Sequence, residues 1–317
     1  MKAAIVTKYG SVAEVAVQEV EIPKVGPAEV LVQVEAASVN PLDVKIINGQ
    51  MQGFFPFAIP YVAGTDFSGT VAEVGATATQ WKKGDRVFGR LEPAPGDGIQ
   101  FSRTGALAEF VAMPAVYLAH VPEAVELAIA AALPTAAGTA YQTLFETADL
   151  KPGQTALIHG GAGGVGSFAI QLAKGAGARV ITTTSKENAE FARSLGADEV
   201  IDYTTEDFAS KVRDVDVVLD TIGGDVQEKS FAVLRKGGHL VTTVSPPDEA
   251  QAKSLGVKAT FVFHLSDGAR LTKIIDLCAS KKLHIEVSRT YSLADVGSAL
   301  TKVGSGSNRG KLLVSAR

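Results

Sequence analysis

A chain of 317 residues corresponds to about two domains at roughly 150 residues each, and 46% hydrophobic against 20% charged residues supports packed cores rather than disorder. Thirty Lys plus Arg against 34 acids leave a net charge of −4, which argues against nucleic acid and membrane surfaces as partners, because the electrostatic attraction that drives such binding is missing. The one cysteine, Cys278, excludes an internal disulfide and any zinc site built on several thiolates, and fits a soluble protein of a reducing compartment, the cytoplasm.

Residues 1–9 lack the apolar core of a signal peptide. The first 120 residues read as strands: 29–35, 69–75 and 85–89 are apolar runs bounded by turn residues. Loop signals fall at 25–27, 83–85 and 92–98. Many short strands separated by Gly and Pro point to a small, mostly antiparallel barrel or sandwich. Residues 123–146 are alanine-rich and helical, interrupted near Pro134. Their most apolar part, 127–145, contains Pro134, Gly138 and several hydroxyl and amide side chains, so it reads as a buried helix pair and not a membrane span. Beyond it strands and helices alternate: strand 155–159, helix 165–174, strand 179–184, helix 187–195, then strands at 199–201, 216–219 and 239–244. That rhythm means a parallel, doubly wound sheet. The tail reads as helix 274–279, extended 284–287, helix 293–303 and extended 311–315, and could extend that sheet or return to the first domain.

Gly161-Ala-Gly163-Gly164-Val165-Gly166 contains G-x-G-x-x-G between an apolar strand and a helix. The first glycine permits a tight turn, the second lets a pyrophosphate approach the backbone, and the third allows close helix–strand packing; the helix N-terminus offers free N–H groups to the phosphates. An NAD site has an acid about 20 residues on, at the end of the second strand. Here that strand ends Thr184-Ser185-Lys186, with no acid before Glu187. Hydroxyls and an ammonium suit a 2′-phosphate, so the expected cofactor is NADPH, with Lys186 and Arg193 as candidate anion partners.

A set of motifs in a fixed order then carries a resemblance: Ser38-Val-Asn40-Pro-Leu-Asp43-Val-Lys45, Gly64-Thr-Asp66-Phe-Ser-Gly69, Leu133-Pro-Thr135, Gly138-Thr139-Ala-Tyr141, His159-Gly-Gly-Ala-Gly-Gly-Val-Gly166, Leu195-Gly-Ala-Asp-Glu-Val-Ile-Asp-Tyr203, Asp220-Thr-Ile-Gly223 and Arg309-Gly-Lys311. Over nearly its whole length the chain resembles the zinc-free quinone oxidoreductase branch of the medium-chain dehydrogenases/reductases. The resemblance implies an α/β fold with a Rossmann doubly wound parallel sheet (123–262) inserted into a GroES-like β-rich catalytic domain (1–122 and 263–317), and an active site in the cleft between them. It also implies a homodimer formed through edge strands of the Rossmann sheets. Zinc-dependent relatives bind their metal in stretches that here offer Asn40, Thr65 or Asp66, and Thr135. None is Cys or His, and a lone carboxylate cannot hold zinc. Residues 92–103, where those relatives carry a four-cysteine lobe, contain no cysteine. No metal is expected.

Residue by residue, the resemblance puts Asn40 and Thr139 beside the nicotinamide and Gly163, Gly164 and Val165 along the pyrophosphate, with Gly161 and Gly166 of the same loop also counted as cofactor-binding. Thr184, Ser185, Lys186 and Tyr203 would surround the adenosine 2′-phosphate, with Thr221 and Gly223 under the cofactor and Val244, Phe263 and His264 on the nicotinamide side. Many members of this branch carry a tyrosine where Lys45 stands, a departure similar to the subset that reduces alkenals and enones. The catalytic candidates are Lys45, Asn40 and Asp43. The bland alternative for Lys45 and Asp43 is a surface ion pair of little worth. Phe54, Phe55, Phe57 and Tyr61 either shape an apolar substrate pocket or pack in the core. Cys278 reads as a buried, inert thiol, and His159 as a residue bonded locally near the glycine loop. The expected activity is NADPH-dependent reduction of quinones or α,β-unsaturated carbonyls. The alternative is an NADPH-binding redox sensor or structural protein of the same fold, since fold alone does not settle function.

Overall fold

In the computed structural model, which describes residues 1–53, 58–92 and 105–316, apolar runs bounded by turn residues become strands in the first third of the chain. These are β1 (Lys2–Val6), β2 (Ala16–Glu19), β3 (Glu29–Val39), then helix α1 (Pro41–Ile47), then β4 (Tyr61–Val62), β5 (Asp66–Val74), β6 (Arg86–Arg90), β7 (Phe110–Pro114) and β8 (Leu118–His120). Pro41 opens α1 at a position whose N–H has no helical partner in any case. The expected helix pair is α2 (Leu127–Ala130) and α3 (Pro134–Tyr141), and Pro134 is the break, as first residue of the second helix. Strands and helices then alternate as β9 (Thr155–His159), α4 (Gly164–Gly175), β10 (Arg179–Thr184), α5 (Ala189–Ser194), β11 (Glu199–Asp202), α6 (Phe208–Lys211), β12 (Val215–Asp220), α7 (Asp225–Ser230), β13 (Leu234–Thr242), α8 (Glu249–Leu255) and β14 (Lys258–Phe261). The tail supplies α9 (Gly268–Ala279), β15 (Val287–Ser292), α10 (Val296–Gly304) and β16 (Lys311–Ser315). The extended segment expected at 284–287 gives way to β15, which starts only at Val287, where parallel pairing with Lys311 begins.

The chain divides into one unit of Met1–Thr135, Leu265–Ser280 and Val287–Arg317 and a second of Ala136–His264 and Lys281–Glu286. The first unit therefore runs past the expected border at 122, because α2 packs on β3, β5 and β6. The short segment 281–286 goes with the second unit: the Gln171 side chain accepts from the His284 N–H at 2.7 Å and donates to its carbonyl at 3.0 Å.

In the first unit, strands run in the order β15-β16-β3-β5-β6-β8, with β7 also paired to β3, beside a three-stranded sheet β2-β1-β4. All pairings but β15 with β16 are antiparallel. The long β3 is shared: Glu29–Gln33 faces β7 while Ala36–Val39 faces β16. Its register sets Ser38 opposite Asp66 on β5 and Val39 opposite Leu312 on β16. The core below these strands is mostly aliphatic, with Phe67, Met113, Leu107 and Leu300 fully enclosed.

In the second unit the six strands are parallel and run β11-β10-β9-β12-β13-β14. Numbered from β9, that is the order 3-2-1-4-5-6 of a dinucleotide-binding Rossmann sheet, and the order reverses between β9 and β12. Ligands of such sheets sit beyond the strand C-termini at that switch point. The loop after β9 is sterically tight. A Cβ on Gly166 would lie 2.2 Å from the Gly160 carbonyl oxygen, whereas one on Gly175, at the other end of α4, would meet nothing within 4 Å. Gly166→Ala is therefore expected to cost about 1–3 kcal/mol of unfolding free energy. Gly175→Ala should leave stability level or raise it by about 0.4–1 kcal/mol. Urea unfolding of the two variants side by side checks the contrast.

Candidate active site

Within the first unit, the junction of β3 and α1 turns polar side chains inward. Asn40 caps α1 from an extended backbone conformation, and its N–H donates to Asp43 Oδ2 at 2.7 Å. Asp66, at the start of β5, collects the neighbouring donors: Ser38 Oγ at 3.3 Å, Asn40 Nδ2 at 3.0 Å, the Thr135 N–H at 3.0 Å and Thr135 Oγ1 at 2.6 Å. Thr65 Oγ1 donates to Asp43 Oδ1 at 3.3 Å. The Lys311 ammonium donates to the Val39 carbonyl at 3.1 Å and to Asn40 Oδ1. Asp43, Asp66 and Lys311 are all buried. Burial, and then the Asp66 charge, push the Asp43 carboxyl up to about 7, against the lowering pull of the Asn40 N–H, Lys311 and Arg90. Burial lowers the Lys311 ammonium, while Asp66 and Asp43 oppose that shift.

The structure thus brings Asn40 and Asp43 together and does not form the alternative surface pair of Asp43 with Lys45. Asp43 is enclosed rather than paired at the surface with Lys45, and Lys45 stands half-buried on α1. The sequence signalled neither Lys311 nor Asp66 as a partner of Asn40. The available hint was a charged residue opening a strand that is otherwise buried, as in Lys311-Leu-Leu-Val and Asp66-Phe-Ser. Asn40, Thr65, Asp66 and Thr135, which stand where zinc-dependent relatives carry metal ligands, meet here in one hydrogen-bonded cluster. Its hub carboxylate already accepts from four donors. Among the described residues no group of three or more His, Cys, Asp and Glu could hold a metal ion. Tyr61 is a core residue, with its ring tilted on Tyr9 at 6.2 Å. It lines, with Asp43 and Thr65, a cavity of about 10 Å³, room for a single water. Phe54, Phe55 and Phe57 lie outside the described residues.

In the second unit the glycine loop corrects one expectation. The left-handed turn is made by Gly160, at φ +71°, and not by Gly161. Gly161 is needed for closeness instead, since its Cβ would fall 2.1 Å from Thr182 Oγ1. Gly163 is the open position, with only the Gly160 carbonyl oxygen at 3.3 Å. It caps the twelve-residue α4, so the N–H groups of Gly164, Val165 and Gly166 in the first turn have no helical acceptor. An open glycine at a helix N-terminus on the switch point is a cradle of the shape a pyrophosphate needs.

The other expected residues gather at the same strand ends. Thr221 Oγ1 donates to the His159 carbonyl at 2.8 Å. Gly223, at φ +81°, lies against Val244, whose Cγ1 would be 2.8 Å from a Cβ there. His264 Nδ1 meets Gln142 Oε1 at 3.0 Å, and its ring packs on Gly138, next to the buried Thr139. Phe263 precedes it, half-buried. At the end of β10, Thr184 is buried, Ser185 half-buried and Lys186 exposed, and the Tyr203 N–H donates to the Thr184 carbonyl at 3.2 Å, leaving the Tyr203 ring exposed. Arg193 is less available, because it pairs with Glu190 on α5. The structure also brings in an acid that local reading could not see. Asp202 of β11 stands opposite Thr184. Hydrogen bonds from the Thr204 hydroxyl and N–H occupy its carboxylate and hold its pKa below the usual range.

The remaining titratable candidates are structural. Cys278 is pushed up to about 12 by burial and is inert as a nucleophile. His120 lies on the Trp81 ring at 4.4 Å, His239 meets Thr260 Oγ1 at 2.8 Å, and His284 meets Glu286.

Comparison with known proteins agrees with this architecture. The pattern of the alcohol dehydrogenase GroES-like domain matches residues 26–123, and that of the family described as zinc-binding dehydrogenase matches 195–314. The quinone oxidoreductase of Coxiella burnetii superposes with a TM-score of 0.90 at 33% identity, over 100% of this chain and 99% of that one. The 2-methylene-furan-3-one reductase of Solanum lycopersicum is 39% identical over 254 residues, 78% of this chain. The chloroplastic NADPH-dependent alkenal/one oxidoreductase of Arabidopsis thaliana is 37% identical over 254 residues, again 78% of this chain. The match spans 64% of each of these two plant proteins. A Rossmann sheet joined in one chain to a GroES-like domain, with no metal-ligand set in the latter among the described residues, defines the class. The chain belongs to the zinc-free quinone oxidoreductase branch of the medium-chain dehydrogenases/reductases.

His159, under the glycine loop, yields a pH prediction. Its Nε2 meets Ser230 Oγ at 3.0 Å and its Nδ1 meets Thr183 Oγ1 at 3.1 Å, while the ring packs on Phe208. Ser230 Oγ already donates to the Val226 carbonyl, so it accepts from Nε2–H, and Thr183 donates to Nδ1. The Nδ1 bond requires a neutral ring, because a protonated ring has no nitrogen left to accept from Thr183. Burial accordingly lowers its pKa to about 4 from the ordinary 6.5, with Asp220 opposing. The unfolded chain thus binds this proton first, and the stabilisation is complete above about pH 6.5 and lost as the pH falls toward 4. At 1.36 kcal/mol per pKa unit that amounts to about 3 kcal/mol. The raised Asp43 acts with the opposite sign over a similar range, its folded form holding a proton that the unfolded chain releases above 3.8. The signal is therefore the stability difference between the unaltered protein and His159→Asn, which should narrow by about 3 kcal/mol between pH 7 and pH 4.

Proposed function

We propose that this protein is an NADPH-dependent, zinc-free oxidoreductase that reduces quinones or α,β-unsaturated carbonyls by hydride transfer. The observation that carries the reading is the acid-free end of β10 beside an open glycine cradle. Ser185, Lys186 and Tyr203 present hydroxyls and an ammonium there, and the carboxylate on the neighbouring strand, Asp202, accepts from the Thr204 hydroxyl and N–H. A 2′-phosphate finds donors and a positive charge at such an edge, whereas the edge lacks the strand-end acid that bonds the ribose hydroxyls in an NAD site. The Coxiella quinone oxidoreductase and the two plant enone reductases, one of them NADPH-dependent by name, support the same substrate class and cofactor.

Gly163, Gly164, Val165 and Gly166 would hold the pyrophosphate, with Thr221, Gly223, Val244, Thr139, Phe263 and His264 along the rest of the cofactor. When bound, NADPH supplies a hydride to the electron-poor carbon of the substrate, and the negative charge left on the substrate oxygen is then neutralised by one proton from water. The chain's task is to hold the reactants together and to offer donors to that oxygen. Asn40 and Lys45 are the donors we assign, with Asp43 orienting the Asn40 backbone. We further read the chain as a cytoplasmic homodimer. β14, at the edge of the six-stranded sheet, leaves backbone groups open and carries the exposed Phe261.

The decisive experiment is loss of NADPH absorbance on mixing with 1,4-benzoquinone, 9,10-phenanthrenequinone or acrolein. Tight NADPH binding without turnover of any of them contradicts the reading. NADPH should bind at least tenfold more tightly than NADH, about 1.4 kcal/mol, and Lys186→Ala should shrink that preference; equal affinities for the two nucleotides speak against it. Lys45→Met should lower turnover of a saturating enone by the equivalent of about 2.7–4 kcal/mol, with the NADPH dissociation constant within a few-fold. Unchanged turnover assigns that lysine to the surface.

A further inference from the structure

Asn40 is gripped at three points within the first unit. Its backbone N–H donates to Asp43 Oδ2 at 2.7 Å, its Nδ2 donates to Asp66 Oδ2 at 3.0 Å, and its Oδ1 accepts from Lys311 Nζ. The two side-chain contacts decide which way the amide faces. An ammonium can only donate and an ionised carboxylate can only accept, so a flipped amide would set N–H against N–H and oxygen against oxygen. Asn40 and Lys311 are each 3% exposed and Asp66 is fully enclosed, so little water reaches the two gripping contacts and a mismatch there is costly. Lys311 is itself fixed, because Nζ also donates to the Val39 carbonyl at 3.1 Å, next to where β16 pairs with β3. An amide nitrogen carries two hydrogens. Asp66 takes one, and among the described residues the other has no acceptor.

We propose that Lys311 and Asp66 are positioning residues for the reduction: together they lock the Asn40 amide in the single orientation that leaves one N–H for the oxygen of the quinone or enone. The inference rests on the reductase reading above and assigns this cluster a task within it. Lys311 touches no reacting atom and acts only through Asn40. The arrangement also accounts for a lysine on a strand whose other residues are mostly buried and apolar, where a leucine or valine would fill the space with no desolvation cost.

The test is a double-mutant cycle on the full chain, read as kcat with NADPH and 1,4-benzoquinone. Asn40→Ala and Lys311→Met are each expected to lower kcat roughly tenfold, with the NADPH dissociation constant within about fivefold of the unaltered protein. The double variant should be no slower than Asn40→Ala alone, because a residue that acts through Asn40 then has nothing to act on. A purely structural role for Lys311 would instead give losses that multiply. Multiplying losses, or an unchanged kcat in either single variant, overturn the proposal. If Lys311→Met fails to fold or to bind NADPH, Asp66→Asn carries the same cycle, since it keeps the shape but lets the Asn40 amide turn over. An unaltered protein that turns over neither quinone nor enone overturns the reductase reading and this inference with it; turnover with multiplying losses overturns the inference alone.

Discussion

Asp43, Asp66 and Lys311 lie enclosed together where β3, α1, β5 and β16 meet, and taking ionisable groups out of water costs several kcal/mol for each one that keeps its charge, before any partner is counted. Opposite charge alone does not offset that; satisfied hydrogen bonds do, and here they are numerous. Four donors reach Asp66, two acceptors receive the ammonium, and a backbone N–H and a threonine hydroxyl serve Asp43. The donors come from stretches far apart in sequence, so the cluster forms only if β3 takes β5 on one side and β16 on the other in the observed register. A one-residue slip would turn the side chains to the opposite face. The polar cluster therefore makes the strand pairing specific, while the mostly aliphatic core beneath supplies the bulk of the burial.

In the nucleotide-binding unit the controlling constraint is steric. At Gly161 and Gly166 a single added carbon would collide with Thr182 or with the Gly160 backbone, and only at Gly163 does the loop open. Closeness at two glycines thus leaves the third as the open position of the loop. The β9–β12 switch point directs the N-terminus of α4 and the Thr221–Gly223 turn to the same end of the sheet. His159 buttresses that loop from below as a neutral ring, which is why burial lowers its basicity without making it an acid–base group of the site.

Much of this was legible along the chain, because the signals are local. Alternating βα units, the glycine spacing, Pro134 as a helix start and the missing acid after β10 are read within a window of a few residues, and each corresponds to backbone geometry that such a window controls. Errors arose where the geometry is shared with a distant segment. The tight turn belongs to Gly160 rather than Gly161 because β9 ends at His159 and Gly161 must clear Thr182 on the neighbouring strand. Asp43 and Lys45, two apart, looked like a possible surface pair, yet α1 presents Asp43 inward to Thr65.

Residue type and local spacing were enough for the class of sheet, the glycine loop between β9 and α4, the absence of thiolate and imidazole ligands from the matching stretches, and the hydroxyl-and-lysine edge at Thr184 to Lys186. Each is a property of residue type at a fixed local spacing. That Asp202 arrives beside that edge already bonded by Thr204, and that Lys311 reaches back to Asn40 across 271 positions, follows from the folded arrangement alone. It alone decided, too, that Asp66 ties Ser38, Asn40 and Thr135 together. Those outcomes depend on strand order and register, which are set by the summed burial of two whole faces. No stretch of sequence around Lys311 or Asn40 encodes the other's position, so the orientation of the Asn40 amide exists only once β16 has paired with β3.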